Sequence, residues 1–552
     1  MNGVKRAAAA VMACLMVLSF TLGGCNAPGE GASIDGNAEE TPVVYATKSE
    51  TVTEPGTWED FTGYPLNTDE SLSIWASQLI PSNTLAGWEE SPFHTNLEKQ
   101  TGIRMEWNFP VQGADANQAF NLLLSDKELP DLLWHTMIDR AENYMEDGVI
   151  RDLTELLPEY APNYWEFLQE NPYYDRSMKT DSGRYFGFGF FREDRWQSAY
   201  MGPMVRKDWL DECGFEMPET VADWEEVLTA FKEKYGAYLS FVPNQRMTPG
   251  MAGAFGSYGT FELSLFVKDG KVEAAQAQPE WKEYMTWLHG LNEKGLIDPD
   301  VVTLDDAGLK TKIANNQVGM TNTSIGTLDT YREEARQAGS DSNWVGCPYP
   351  VLEKGDKTRA IFCEDPVIPS IISLTTSCPE EKLELALRWL DYAFTEDGFL
   401  FWNYGVEGES YVIKDGVPAF TDLVLKNPLG LTETSKLYTG NYGWGLGVQA
   451  LGLSQQKVSD AAVKAGNLWY YGNEEAGAWV YPNGVTLTPD EIMESSGLYD
   501  ALNTYVKEMS LKFLTGEESL DNWEAFVGKM TDMGMERVLE VRQAAYDRFR
   551  NR

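Results

Sequence analysis

Leu72-Ser-Ile-Trp-Ala76, Ile103 to Phe109 and Leu129-Pro-Asp-Leu-Leu-Trp134 are the stretches that decide the fold. The first alternates apolar and polar residues, as a strand with one buried face does. The third ends in the apolar run Leu132-Leu-Trp134, as a strand buried on both faces does. Between the first and second, Phe93 to Gln100 has helical spacing and is stopped by Gly102. Between the second and third, Gln118 to Ser125 is helical. Strand, helix, strand, helix, strand in succession implies parallel strands covered by their connecting helices, which is the α/β class.

The pattern continues outward from this unit. Asp152 to Leu168 reads as helices, and Gly183 to Phe191 reads as another strand. Glu219 to Tyr235 is the clearest helix, with Thr220 placed to cap it and Asp223 at the third helical position. Val221, Trp224, Val227, Leu228 and Phe231 recur along it at helical spacing. Trp281, Tyr284, Met285, Leu288 and Leu291 form a second stripe, ended by Gly295, and Leu383, Leu387, Leu390 and Phe394 form a third. Such stripes are core faces rather than binding surfaces. Residues from about 495 to 548 are helical again, and no internal repeat is visible.

The chain has 552 residues, with 85 Asp and Glu against 44 Lys and Arg, a net charge of −41. That balance disfavours nucleic acid and anionic lipid as partners. Aromatic residues at 12% separate it from acidic disordered chains. Lys5 and Arg6 precede an uncharged apolar stretch from Ala7 to Leu22, too short to span a bilayer and suited to a signal peptide. It ends in Leu22-Gly-Gly-Cys25, which resembles a bacterial lipobox and implies cleavage before Cys25 and lipidation of its thiol. Removing residues 1–24 takes away only two cations, so the acidity belongs to the exported part. Residues 25–68, rich in Gly, Pro, Thr and Glu, read as an acidic tether. Of the remaining cysteines, Cys213, Cys347, Cys363 and Cys378 form no CxxC pair. Bridges between Cys347 and Cys363 or Cys363 and Cys378 stand beside the alternative that all are small buried hydrophobes.

Catalytic signatures are missing. There is no GxxxxGK[ST], no GxGxxG after a strand, no HExxH and no GxSxG. Ser454-Gln-Gln-Lys457 matches SxxK, but its companion motifs are absent. The three histidines, His94, His135 and His289, are too scattered for a His-built metal site, and neither metal nor cofactor is expected. What stands out is aromatic residues beside glycines, in Phe186 to Arg192, Phe401 to Gly408, Tyr442-Gly-Trp-Gly445 and Trp479-Val-Tyr-Pro482. Rings on loops keep an exposed face, and sugars stack an apolar C–H face on such rings while Asp, Glu, Asn and Arg take their hydroxyls.

Four segments carry a resemblance to a known family. They are Leu129 to Trp134 with Gly148-Val-Ile-Arg-Asp-Leu-Thr-Glu-Leu156; Gly183 to Phe188 leading to Val205-Arg-Lys-Asp-Trp-Leu-Asp211 and Gly214 to Thr220; Gln317-Val-Gly-Met-Thr321; and Tyr392 to Gly398 with Tyr404-Gly-Val-Glu-Gly408. Together they resemble the family 1 extracellular solute-binding proteins of bacterial ABC importers, in particular the long LipO-like lipoproteins. The resemblance implies a type II periplasmic-binding-protein fold of two α/β lobes with a hinge and a ligand cleft between them. By similarity, the chain should cross between lobes near Tyr200, near 349–363 and near 401–411. Lobe 1 would hold 69–200 and 362–405, and lobe 2 would hold 201–361 and 406–552. The cleft positions map onto Trp134 and His135, onto Asn322 to Ser324, and onto Trp402 and Tyr404. The Trp-Ala-His-Asp-Arg stretch of maltose-binding proteins is only partly kept, as Trp134-His-Thr-Met-Ile-Asp139-Arg140.

The candidate stacking residues are Trp134, Trp402, Tyr404 and Trp444, and the candidate polar residues are Asp131, Arg192, Asn322, Ser324 and Glu407. Asp131 and Glu407 could equally serve the fold. Trp75, Gln78, His135, Tyr442, Trp479 and Tyr481 complete the set. The expected protein is a binding module and not an enzyme. Its expected partners are a carbohydrate, the transmembrane subunits of an ABC permease, and the outer face of the cytoplasmic membrane through the lipid on Cys25. Nucleic acid is not expected, and the protein should be a monomer. The competing readings are a secreted glycan-active enzyme, or the same fold holding a peptide, a uronate or another small polar solute.

Overall fold

Two separate mixed sheets organise the chain, each with its own core. The computed structural model describes residues 63–552 apart from 67, 78–89, 112–113, 127, 244–248, 338 and 443–444. The signal, Cys25, nearly all of the tether, Gln78 and Trp444 lie outside the described residues.

The first sheet has six strands in the order Gly447–Gln449, Phe188–Arg192, Val367–Leu374, Leu132–His135, Ser71–Ala76, Arg104–Asn108. The strand–helix–strand unit read from the sequence forms its edge, with Ser71–Ala76 parallel to both Arg104–Asn108 and Leu132–His135. The connecting helices are Pro92–Thr101, capped by the Ser91 hydroxyl, and Ala116–Leu123, capped by Asp115. Gly102 ends the first of them at φ 74°, where a Cβ would lie 1.9 Å from the Leu66 carbonyl oxygen, so only glycine lets the chain turn there. Val367–Leu374 enters from far along the chain and pairs antiparallel on both sides.

The second sheet has the order Trp344–Gly346, Met201–Arg206, Val318–Ser324, Tyr238–Leu239. Helix Val221–Tyr235 covers it and begins with the expected capping box between Thr220 and Asp223. Trp224, Phe231, Trp281, Leu288 and Phe513 are fully buried around it, so the first two helical stripes are core faces. The third stripe, on Leu383–Asp391, packs under the first sheet. The C-terminal region forms helices Pro489–Thr515, Trp523–Asp532 and Met535–Arg550. This is a two-lobed α/β fold.

The chain passes between the sheets through residues 193–200 and 347–366, near two of the expected crossings. The third passage differs. Residues 401–411 stay with the first sheet, because helix Glu396–Tyr404 packs there and Gly447–Gln449 pairs in parallel with Phe188–Arg192. The chain leaves only after Gln449. Helix Asp460–Tyr470 then lies on the second sheet, where the Trp469 indole donates to the Cys347 carbonyl at 3.0 Å. The expectation that everything after 405 belongs with the second sheet therefore fails for 447–449, whose backbone has its partners in the first. Cys213, Cys347, Cys363 and Cys378 are free thiols. Among the described residues no helix is long and apolar enough to cross a membrane.

Candidate ligand-binding cleft

Where the chain passes between the sheets, polar side chains converge. Arg192 ends its strand, and its guanidinium donates to the Asp365 carbonyl at 2.8 Å and to the Glu364 carboxylate at 2.6 Å. The Tyr200 hydroxyl donates to the other Glu364 oxygen at 2.7 Å. Gln449 ends the adjacent strand and is followed by helix Leu451–Gln456, which brings Ser454 and Lys457 to the same place. With Trp196, Phe362 and Tyr442 these groups line a cavity of about 610 Å3. A second recess, of about 720 Å3, shares Tyr200 and Ser324 with the first and runs along the second sheet past Asn322, Thr323, Lys310 and Tyr331. Strand ends and connections supply the polar groups here, as in open α/β sheets generally.

The electrostatics are uneven. Burial pushes the Lys457 ammonium down to about 7, and the nearby Arg192 adds to this. Lys457 donates to the Tyr442 carbonyl and stands 4.6 Å from the centre of the Tyr442 ring. Burial raises the Asp365 carboxyl and the Cys363 thiol. Ser454 Oγ accepts from Gln197 at 2.7 Å.

The residues singled out from sequence divide sharply. Arg192, Asn322, Ser324 and Tyr442 line the two recesses. Trp134 and Trp402 are buried in the core of the first sheet, ring against ring at 6.4 Å, and the Trp134 indole donates to Ser370 at 2.7 Å. Tyr404 is buried with Tyr411 and Phe420. Trp75 packs on Phe120 and His135. His135 bonds Ser77 at 2.6 Å, and burial lowers its pKa to about 4. All five rings are buried, the most exposed being Trp75 at 6%. Asp131 accepts from the Ser73 amide and hydroxyl at 2.7 and 2.9 Å and so fixes two strands to each other. Glu407 is exposed on a turn after helix Glu396–Tyr404. Trp479 stacks with Phe266 and Tyr258 and lies 4.6 Å from the Lys268 ammonium, against a separate hairpin. Tyr481 donates to the Arg542 carbonyl at 3.1 Å on the last helix. Sequence reading missed Trp196, Tyr200, Glu364 and Lys457 as cleft residues. The one available signal was the SxxK match, which pointed to Ser454 and Lys457 for a different chemistry.

No family model matches the chain. It is 26% identical over 386 residues to lipoprotein LipO of Bacillus subtilis (strain 168), an alignment covering 66% of this chain and 72% of that one. Its fold superposes on the alginate-binding protein AlgQ2 with a TM-score of 0.69, at 21% identity, covering 88% of this chain and 100% of that one. The chain is similar to the family 1 extracellular solute-binding proteins in sequence and in fold. A second relative among these solute-binding proteins is the fructooligosaccharide ABC transporter substrate-binding protein FusA of Streptococcus pneumoniae, 25% identical over 372 residues, 63% of this chain and 65% of that one. Its kestose complex superposes with a TM-score of 0.69. FusA and AlgQ2 are named as binding proteins rather than enzymes.

Proposed function

We propose that this chain is an extracytoplasmic lipoprotein that captures an oligosaccharide between its two lobes and delivers it intact to an ABC permease. In this reading residues 1–24 are removed, Cys25 carries the lipid that holds the protein at the outer face of the cytoplasmic membrane, and the protein works as a monomer. Residues up to about 200 and from about 362 to 449 form one lobe, and the rest forms the other. The observation that carries the reading is the pair of recesses meeting at Tyr200 and Ser324, rimmed by Trp196, Phe362 and Tyr442 and by charged and amide groups. Each is of a size common for small-ligand sites, and two in tandem suit a chain of sugars better than one ring. The relatives' named ligands support it: fructooligosaccharide for FusA, polygalacturonan and rhamnogalacturonan for YtcQ of Bacillus subtilis, and alginate for AlgQ2. Closure would remove the sugar from water and raise the closed population by the ligand's differential affinity for it.

Thermal shift against neutral and acidic oligosaccharides, with chromatographic recovery of the sugar, tests this. A shift with the sugar recovered intact is expected. Cleaved sugar, or no shift across the set, overturns the reading.

A further inference from the structure

Among the described residues, Lys457 is a cation without an acidic partner inside a cavity whose carboxylates are already committed. Two carboxylates line that cavity, Glu364 and Asp365. Glu364 receives Tyr200 on one oxygen and Arg192 on the other. Asp365 receives the Tyr173 hydroxyl on one oxygen and the Val367 amide, at 2.7 Å, on the other. Lys457 has only the carbonyl and ring of Tyr442 among the described residues. An ammonium has three N–H donors, of which the Tyr442 carbonyl takes one. Arg192 lines the same cavity and adds positive potential.

We propose that Lys457 is the counter-charge for a ligand carboxylate, and that the cleft therefore selects uronate-containing oligosaccharides over neutral ones. The inference rests on the carbohydrate-binding reading above and narrows its substrate class. Taking an ammonium out of water without a counter-ion is costly, and a carboxylate seated against it recovers that cost. Burial already pushes the Lys457 ammonium down to about 7, the mark of a charge short of compensation. A neutral sugar leaves that deficit in place. The overall charge of −41 does not oppose this, because exposed charges beyond about 8 Å are largely screened at physiological ionic strength. Within the cavity Arg192 is offset by Glu364, which leaves Lys457 as the cation without an acidic partner among the described residues.

The test uses the mature full chain and calorimetric titration with trisaccharides of galacturonate, mannuronate and glucuronate. Each is paired with its fully methyl-esterified form, which keeps the ring and removes the charge; kestose and maltotriose serve as further neutral probes. At least one acid is expected to bind tenfold or more tighter than its ester. Lys457→Met should erase that ratio, through a loss of acid binding at least tenfold larger than any loss of ester binding. Lys457→Arg should keep the ratio, which shows that the site is still folded. An ester or neutral trisaccharide binding as tightly as any acid overturns the uronate inference and leaves the carbohydrate reading standing. A Lys457→Met variant that loses acid and ester equally also overturns it. Absence of binding to every probe overturns both.

Discussion

His135 shows how a single side chain ties the fold to pH. Its ring is enclosed by Trp75 and Phe120 and bonded to Ser77, and burial lowers its pKa to about 4. The unfolded chain binds a proton near pH 6.5, while the folded chain refuses it until about pH 4. Stability present above pH 6.5 is therefore lost as the pH falls towards 4, by about 3 kcal/mol for this group. Urea melts of His135→Gln and the parent at pH 4, 5 and 7 should show a flatter pH dependence in the variant. Equal slopes would remove His135 from the account. Trp134 belongs to the same core. Trp134→Ala should cost roughly 3–5 kcal/mol of stability, read in the same melts, because a large ring would leave a cavity that its neighbours cannot close.

At the scale of elements, local chemistry sets the helices. Thr220 accepts from the Asp223 amide at 3.1 Å while Asp223 accepts from the Thr220 amide at 2.9 Å, so the start of Val221–Tyr235 is fixed by four residues of sequence. Thr220→Ala should destabilise the protein by about 1 kcal/mol, measured by urea melting, with ligand binding unchanged. Thr488 and Glu491 form a second capping box ahead of the longest helix, Pro489–Thr515. Strand pairing across long separations is different. Val367–Leu374 and Gly447–Gln449 take their places beside Phe188–Arg192 through contacts that no local pattern encodes. For that reason the third passage between the sheets appears after Gln449 and not at 401–411.

At the scale of the whole molecule, the last helix is tied back to the first-sheet side by charge. Arg552 donates to Asp181 at 2.5 Å and to the Gly484 carbonyl at 2.9 Å, and Arg548 donates to Asp181 and Glu491. Asp181 precedes the strand Phe188–Arg192, whereas helix Met535–Arg550 packs on Pro489–Thr515. Arg552 has a side chain only 3% exposed, so removing it takes away a shielded ion pair and leaves the Lys179 and Gly484 carbonyls without their donor, while Asp181 keeps Arg548. Arg552→Ala should cost roughly 3 kcal/mol in a urea melt, and high salt should not rescue it because the pair is shielded from solvent. A cost under about 0.5 kcal/mol would show the tie to be no stronger than a surface ion pair.

By itself the sequence determined the α/β class, the parallel edge of the first sheet, the helix caps and the core stripes. It did so because strand alternation, helical spacing and cap chemistry are properties of residues within a few positions of each other. It also brought Arg192, Asn322, Ser324 and Tyr442 forward as candidates, and folding places these at the walls of the two recesses. Only the tertiary structure decided which aromatic rings are spent on the core. Trp134 and Trp402 look like ligand platforms in sequence, yet each supplies the other's packing partner from a distant part of the chain. Lys457 is the reverse case. Its neighbours in sequence say nothing of its role, which arises because folding sets it against Tyr442 and near Arg192 while the nearby carboxylates are occupied elsewhere.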